Sequence, residues 1–376
     1  MRPIQLPMNF SPETEWVVPA MPDLSQHEEI AIDLETRDPN LMTKGSGSVR
    51  KDGEVVGFAV AVEGWKGYFP IAHEGQGNID RAIVIDWMQE VLNTPATKVF
   101  HNAMYDVSWL RSMNFNINGR IVDTMIAGSL VNENRFSFTL DSISKEYIGM
   151  GKNENVLKDA AKLWGVDPKA EMWRLPALVV GEYAERDAEI TLKLWQAMKH
   201  ELTQQDLWEV FNLETDLFPC LVDMKFKGVP VDLIRADNIK RDFVKQEQAI
   251  LHKVNKEAGF EVEIWAAASI QKAFDKLKLP YDRTDKGAPS FTKGFLASHP
   301  EGTLARGIAE ARELNKAHTT FIDTIIKHEY NGRIHSDINQ IRSDSGGTVT
   351  GRFSYSNPNL QQIPARHKTI GPMIRS

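Results

Sequence analysis

The segment Glu28–Glu35 carries the apolar run Ile30-Ala31-Ile32 and ends it with two acids, Asp33 and Glu35. A short apolar run of this kind is the pattern of a strand buried on both faces, which places it inside a layered sheet. Residues two apart on a strand emerge on one face, so both carboxylates look the same way. Acids on an otherwise buried strand cost desolvation and mutual repulsion. A hard cation with oxygen ligands offsets both. Taken by itself, the spacing also fits a wet strand end.

The chain continues with two more strand patterns, GEVVGFAVAVEG and WKGYFPIA, joined by a glycine-containing turn. A helical pattern starts at Ile79, TKVFHN reads as a short strand, AMYDVSWLRSM as a helix and INGRIVD as a fifth strand. TMIAGSLVN, TLDSISKEYIG and a long stretch from about Pro176 to about His200 are helical. Early strands with intervening helices predict an α/β layer structure. The segment DPNLMTKGSGSVRKDG between the first two strands reads either as a solvated surface loop or as a loop that touches substrate phosphates; without phosphate-loop spacing, the solvated loop is the expectation.

Two further motifs join Asp33 and Glu35. Asn102 and Asp106 are four apart in a helical segment, with Tyr105 beside them, and Tyr183 and Asp187 repeat that spacing. Asp106 and Asp187 are candidate cation ligands. The Tyr183 hydroxyl is a candidate for holding an attacking water, and Asn102 for bonding a nucleotide. Tyr105 either packs on substrate or fills core. Each pair has a bland reading as solvated surface, but three in the order strand, helix, helix are far harder to obtain by chance. Four gathered acids repel one another unless cations sit among them, which is the requirement of two-metal phosphodiester cleavage.

From about Leu202 the pattern is helical and strongly charged. A helix is expected to end at Gly228, and long charged helices to follow over RADNIKRDFVKQEQAILHKVNKEAG, SIQKAFDKLKLP and IAEARELNKAHTTFIDTIIKHEYNG. Lys316, His318 and Lys327 on the last of these face either a nucleic-acid backbone or solvent. The final part, RIHSDINQ and TVTGRFSYSNPNLQQIP, is rich in strand and turn signals.

The three acidic motifs resemble the exonuclease motifs of the 3′–5′ proofreading domain of family A (DNA polymerase I-like) DNA polymerases, in the class whose third motif carries Tyr. Asp33 and Glu35 stand at the first motif, Asn102, Tyr105 and Asp106 at the second, and Tyr183 and Asp187 at the third. Asp123-Thr124-Met125, followed by Leu140-Asp141-Ser142, is similar to the family's intervening segment, where Asp123 is supporting rather than a ligand. The segment Thr348–Arg366 resembles the first polymerase motif, which grips primer–template duplex, and the helices from about Asp232 look like the family's thumb. Ser354-Tyr355 and Gln362 depart from the usual Ser-Ser and Asn.

The resemblance implies an RNase H-like α/β exonuclease domain over 1–205, with a mixed sheet flanked by helices. A mainly α-helical thumb follows over 206–332, and a partial α+β palm over 333–376. It implies metal ligands Asp33, Glu35, Asp106 and Asp187. One Mg²⁺ on Asp33, Glu35 and Asp187 would lower the pKa of a water whose hydroxide attacks the terminal phosphodiester in line. A second near Asp33 and Asp106 would stabilise the leaving 3′ oxygen, the two ions lying roughly 3.5–4 Å apart, with Mn²⁺ able to substitute. Thr350, Arg352, Ser354, Asn359, Gln361, Gln362 and Arg366 are the expected duplex contacts. Arginines suit phosphates, and the amides suit minor-groove acceptors present on every base pair.

The resemblance leads to the expectation of a chain without the family's palm aspartates and fingers helix and without a preceding 5′-nuclease domain, a layout similar to phage-type polymerases. The expectation is therefore a proofreading exonuclease subunit or fragment, completed by a second polypeptide with palm and fingers. Ile334, Ile338, Ile341, Phe353, Ile363 and Ile370 are expected to be the apolar surface that partner covers. Alternatives are a free-standing RNA- or DNA-trimming exonuclease and a non-catalytic DNA-holding or assembly subunit. A formal net charge of −7 does not favour nucleic acid, but a nuclease needs only local basic patches. The single cysteine, Cys220, the lack of a secretory signal and the absence of any membrane-length apolar stretch fit a reducing cytoplasm, that of a bacterial host if phage-encoded.

Overall fold

A computed structural model of the chain describes residues 14–342 and 346–363. Its contacts define two compact units, one running up to Gly228 and including His335–Asn359, the other made of Val229–Ile334 with residues from Leu360. These boundaries differ from the expected three segments, because 206–228 and 335–359 pack with the first unit.

The first unit runs β1 (Glu29–Arg37), α1 (Leu41–Lys44), β2 (Glu54–Val62), β3 (Trp65–Pro70), α2 (Arg81–Asn93), β4 (Thr97–Phe100), α3 (Ala103–Ser112), β5 (Ile121–Asp123), α4 (Thr124–Val131), α5 (Leu140–Ile148), α6 (Asn155–Trp164), α7 (Ala177–Gln204) and α8 (Trp208–Lys227). Five strands form one mixed sheet in the order β3-β2-β1-β4-β5, antiparallel on the β2 side of β1 and parallel on the β4 side. The hydrophobic run of β1 therefore sits centrally. Ile30 and Ile32 are fully buried with Phe58, Val60, Met88 and Leu110 on the layer built with α2 and α3. Each contributes about 1.5–3 kcal/mol by leaving water. Ala31 faces the other layer, built with α4 to α7. The odd positions of β1 thus look toward α7, and Asp33 and Glu35 share that parity.

Small residues let α7 lie close to the sheet. Ala184 and Ala188 are fully buried, and a Cβ added at Gly181 would overlap the Trp16 indole. Glu185 ties this helix down, accepting from Trp16 Nε1 (2.8 Å) and from the Tyr68 backbone N–H (3.2 Å). The helix α6 was not among the expected elements, although Leu157, Ala160 and Ala161 face the core at helical spacing.

The second unit is helical, with α9 (Leu233–Ala258), α10 (Ala267–Lys276), α11 (Lys293–Ala297) and α12 (Leu304–Lys316) around Val254, Phe274, Leu296 and Ile308. The last predicted long helix is continuous but widens into a π-helical stretch at Ala317–Ile322 before Asp323–His328. No helix among the described residues is long and apolar enough to cross a membrane.

Three expectations are corrected. The segment from Asp38 to Gly53 is not a solvated loop: residues 45–48 are buried, although Met42 is exposed. Its turns are bonded internally, Arg50 donating to the carbonyls of Lys44 (3.0 Å) and Gly45 (2.8 Å) and Gly47 N–H to Asp38 (3.1 Å). Ile334, Ile338 and Ile341 do not form an exposed surface, since all three are buried. Ile334 packs with Phe243 and Ile325, and Ile341 joins the α4–α7 core. Phe353 and Ile363 are half-buried, and Ile370 lies outside the described residues. His318 faces neither DNA nor solvent: it is buried, its Nε2 2.6 Å from Glu247 Oε2.

Candidate active site

The pairing of β1 explains how the acids come together. Its parallel register with β4 ends at Ala31 opposite Val99. Past that point β1 has no paired residue on β4, and the Leu34 N–H donates to Asp106 Oδ1 on α3 at 3.2 Å. On the other side the register with β2 sets Glu35 opposite Gly57. A Cβ at Gly57 would overlap the Tyr68 phenol, so a bare backbone is required there. Asp187 comes from the buried face of α7.

Glu35, Asp106 and Asp187 are buried and Asp33 is half-buried. Burial raises the pKa of all four acids above the ordinary carboxylate range. For Asp33, burial and the charge of Asp187 push it to about 7, with Lys152 opposing. Glu35 rises well above its usual value through burial, then through Asp33 and Asp187. Asp106 rises through burial and Asp33, while the Leu34 N–H holds it down in part. Carboxylates that resist ionising beside one another form a donor set suited to a hard cation.

A cation of the chain's own is present. Lys152 Nζ pairs with Asp187 Oδ2, donates to the Tyr183 hydroxyl at 3.1 Å and stands 5.2 Å from the Tyr183 ring centroid. Asp187 Oδ1 is buried and makes no hydrogen bond among the described residues. That orphaned oxygen fits a metal ligand. As the side chains stand, no three acidic, histidine or cysteine residues among those described form a ready cage for one ion. The ammonium at Asp187 takes a cation's place.

The second motif is held by Asp123. Its carboxylate accepts from the backbone N–H groups of Asn102 (3.0 Å), Ala103 (2.8 Å) and Met125 (2.8 Å). It thereby fixes Asn102 in a left-handed conformation (φ 68°) at the start of α3. Burial outweighs these bonds and keeps the Asp123 pKa at about 6. The Asn102 side chain lines a cavity of about 480 Å³ with Tyr105, Met104 and Phe218. Tyr105 is a brace as well as a wall: its hydroxyl donates to Asp38 Oδ2 (3.2 Å), so Thr36, at 2.7 Å, is the donor to Tyr105.

The expected duplex contacts come from other segments and are not part of the acid cluster. Thr350 and Arg352 are exposed. Ser354 lies on a short strand paired with Asp337–Asn339, and its hydroxyl accepts from Gly347 N–H (2.9 Å) and Asn339 Nδ2 (3.2 Å). Asn359 is half-buried. Gln361 and Gln362 are exposed on a one-turn 3₁₀ helix. Arg366 lies outside the described residues. Lys152 is the residue that sequence reasoning missed. Its only local signal is a lysine after the turn Gly149-Met150-Gly151.

The sequence matches two family models, "3'-5' exonuclease" over residues 18–203 and "DNA polymerase family A" over residues 235–376. A DNA-directed DNA polymerase of Pseudomonas phage M6 is 34% identical over 96% of this chain and 57% of its own length. The DNA polymerase DpoZ of Salmonella phage PMBT28 is 31% identical over 94% of the chain and 58% of its own length. DNA polymerase I of Pseudomonas aeruginosa is 29% identical over 91% and 37%. The POL domain of Pol1 from M. smegmatis, solved with DNA primer-template and dNTP, shares the fold at a TM-score of 0.70 and 20% identity, over 93% of this chain and 55% of that one. The first unit thus has the fold class of a 3′–5′ exonuclease domain, and a helical thumb region accompanies it. The chain belongs to DNA polymerase family A. It spans a little over half the length of the phage relatives it matches.

Proposed function

We propose that this chain is a metal-dependent 3′–5′ DNA exonuclease that proofreads for a family A polymerase. The observation that carries the reading is the buried, unpartnered Asp187 Oδ1 within four carboxylates whose pKa values are all raised. Asp33, Glu35 and Asp187 would hold one Mg²⁺, and Asp33 with Asp106 a second. Bound there, the ions would supply activation of water and neutralisation of the phosphodiester charge.

The chain's own residues do the rest. The Leu34 N–H orients Asp106. Tyr183, on the same helical face as Asp187, offers its hydroxyl to orient an attacking water. Asn102, held in its turn by Asp123, presents its amide to the terminal nucleotide beside the cavity. Thr350, Arg352, Ser354, Asn359, Gln361, Gln362 and Arg366 are proposed to hold primer–template duplex. Nucleotidyl transfer is proposed only for an assembly that also supplies the rest of the relatives' length, as continuous chain or as a second polypeptide.

The test is release of mononucleotides from the 3′ end of single-stranded DNA. Mg²⁺-dependent release is expected from the wild-type chain and its loss from Asp33→Ala and Asp187→Ala. Unchanged release by either purified variant defeats the assignment. Faster hydrolysis of RNA than of DNA would instead favour a trimming enzyme.

A further inference from the structure

Lys152 is an acid-cluster neighbour that the proposed chemistry does not use. Its ammonium meets the two residues of the third motif at once, Asp187 through an ion pair and Tyr183 through a hydrogen bond of 3.1 Å. The side chain is largely buried, with 20% of its surface exposed. A surface lysine would have no such set of partners.

The backbone that delivers this lysine is anchored. Its N–H donates to Asp141 Oδ1 at 2.9 Å, and Asp141 Oδ2 also binds Lys145 Nζ at 2.6 Å. The turn before it leaves α5 through Gly149 in a left-handed conformation (φ 65°). A Cβ at Gly151 would lie 2.5 Å from Lys145 Cε and 3.0 Å from Asp141 Oδ1, so the turn passes close to α5. The loop thus holds a positive charge at the carboxylate that α7 contributes to the site.

We propose that Lys152 is a built-in counter-ion that competes with the divalent cation for Asp187. It must swing away from that carboxylate when the ion binds. The inference rests on the metal-binding reading above. A monovalent ammonium and a divalent ion cannot share one buried oxygen set without strong repulsion. In the metal-free chain the lysine offsets part of the repulsion among the acids. In the loaded chain it is displaced toward solvent, where its charge is free to meet the phosphate of a bound strand.

Two measurements test this without relying on activity. The first is Mn²⁺ affinity, from the loss of the free-ion electron paramagnetic resonance signal, for wild type, Lys152→Met and Lys152→Arg. Lys152→Met is expected to bind Mn²⁺ about tenfold more tightly because a repelling charge is gone, while Lys152→Arg stays near wild type. Equal or weaker binding by Lys152→Met overturns the proposal. The second uses wild-type protein, so it stands even if the variants fold poorly. Acetylation of Lys152, mapped by mass spectrometry, is expected to accelerate when Mn²⁺ is added. Unchanged or slower acetylation, with Mn²⁺ demonstrably bound, also overturns it. If wild type and both variants bind no Mn²⁺ at all, the metal-binding reading itself falls, which is a different outcome from equal binding by all three.

Discussion

Replacing Asp33 by Asn should make the metal-free protein more stable at alkaline pH while removing a proposed ligand. Asp33 is held at about 7 in the folded chain against 3.8 ordinarily, by burial and by Asp187. A raised carboxyl pKa means the folded state keeps its proton longer than the unfolded one. The contribution to stability is therefore full below pH 3.8 and is lost as pH rises through about 7. The gap corresponds to about 4 kcal/mol. Glu35 and Asp187 share the same repulsion, so removal of one charge should recover about 2–4 kcal/mol of it. Asn keeps the shape of Asp without the charge. The assay is urea unfolding in EDTA at pH 4 and pH 8, followed by tryptophan fluorescence. Of the nine tryptophans only Trp265 belongs to the second unit, so the signal reports chiefly on the sheet domain. Asp33→Asn should exceed wild type by that amount at pH 8 and differ little at pH 4. Equal stability at pH 8, or a gain independent of pH, would refute the electrostatic argument.

Two other tests address separate parts of the chain. His73 and His101 are held at about 4 and about 3 against an ordinary 6.5, chiefly by burial, so the unfolded state takes up protons first. Their contribution is present above pH 6.5 and lost as pH falls toward 4 and 3, and His73→Gln should flatten the acid limb of a plot of urea midpoint against pH. Arg312 donates to the carbonyls of Ile264 (2.5 Å) and Phe291 (2.8 Å), and Arg312→Met should cost the helical unit about 2–3 kcal/mol, seen as an earlier Trp265 transition.

Much of the sheet was legible because its signals are local. The apolar run of β1, the paired strands after it and the spacings of Asn102 with Asp106 and Tyr183 with Asp187 depend on periods of two and 3.6 residues. Asp33 and Glu35 could be assigned to one side of a strand before any partner was known. The packing of the remainder was not legible. Residues 45–48 look like a linker by composition, yet Arg50 and Asp38 fold them inward. Ile334, Ile338 and Ile341 enter cores that the sequence does not announce, because nothing local tells which core an isoleucine will enter. His318 sits among charges in sequence but meets Glu247 from a helix 71 residues earlier.

Residue order by itself determined the central strand, its two carboxylates and the helical pairs that accompany them, because backbone geometry repeats over a few residues and writes itself into the chain. Tertiary structure decided which charges answer those carboxylates. Lys152 reaches Asp187 across 35 residues of chain, and Asp123 reaches Asn102 across 21. Such pairings follow from burial, which makes an unanswered charge costly wherever the fold happens to place it.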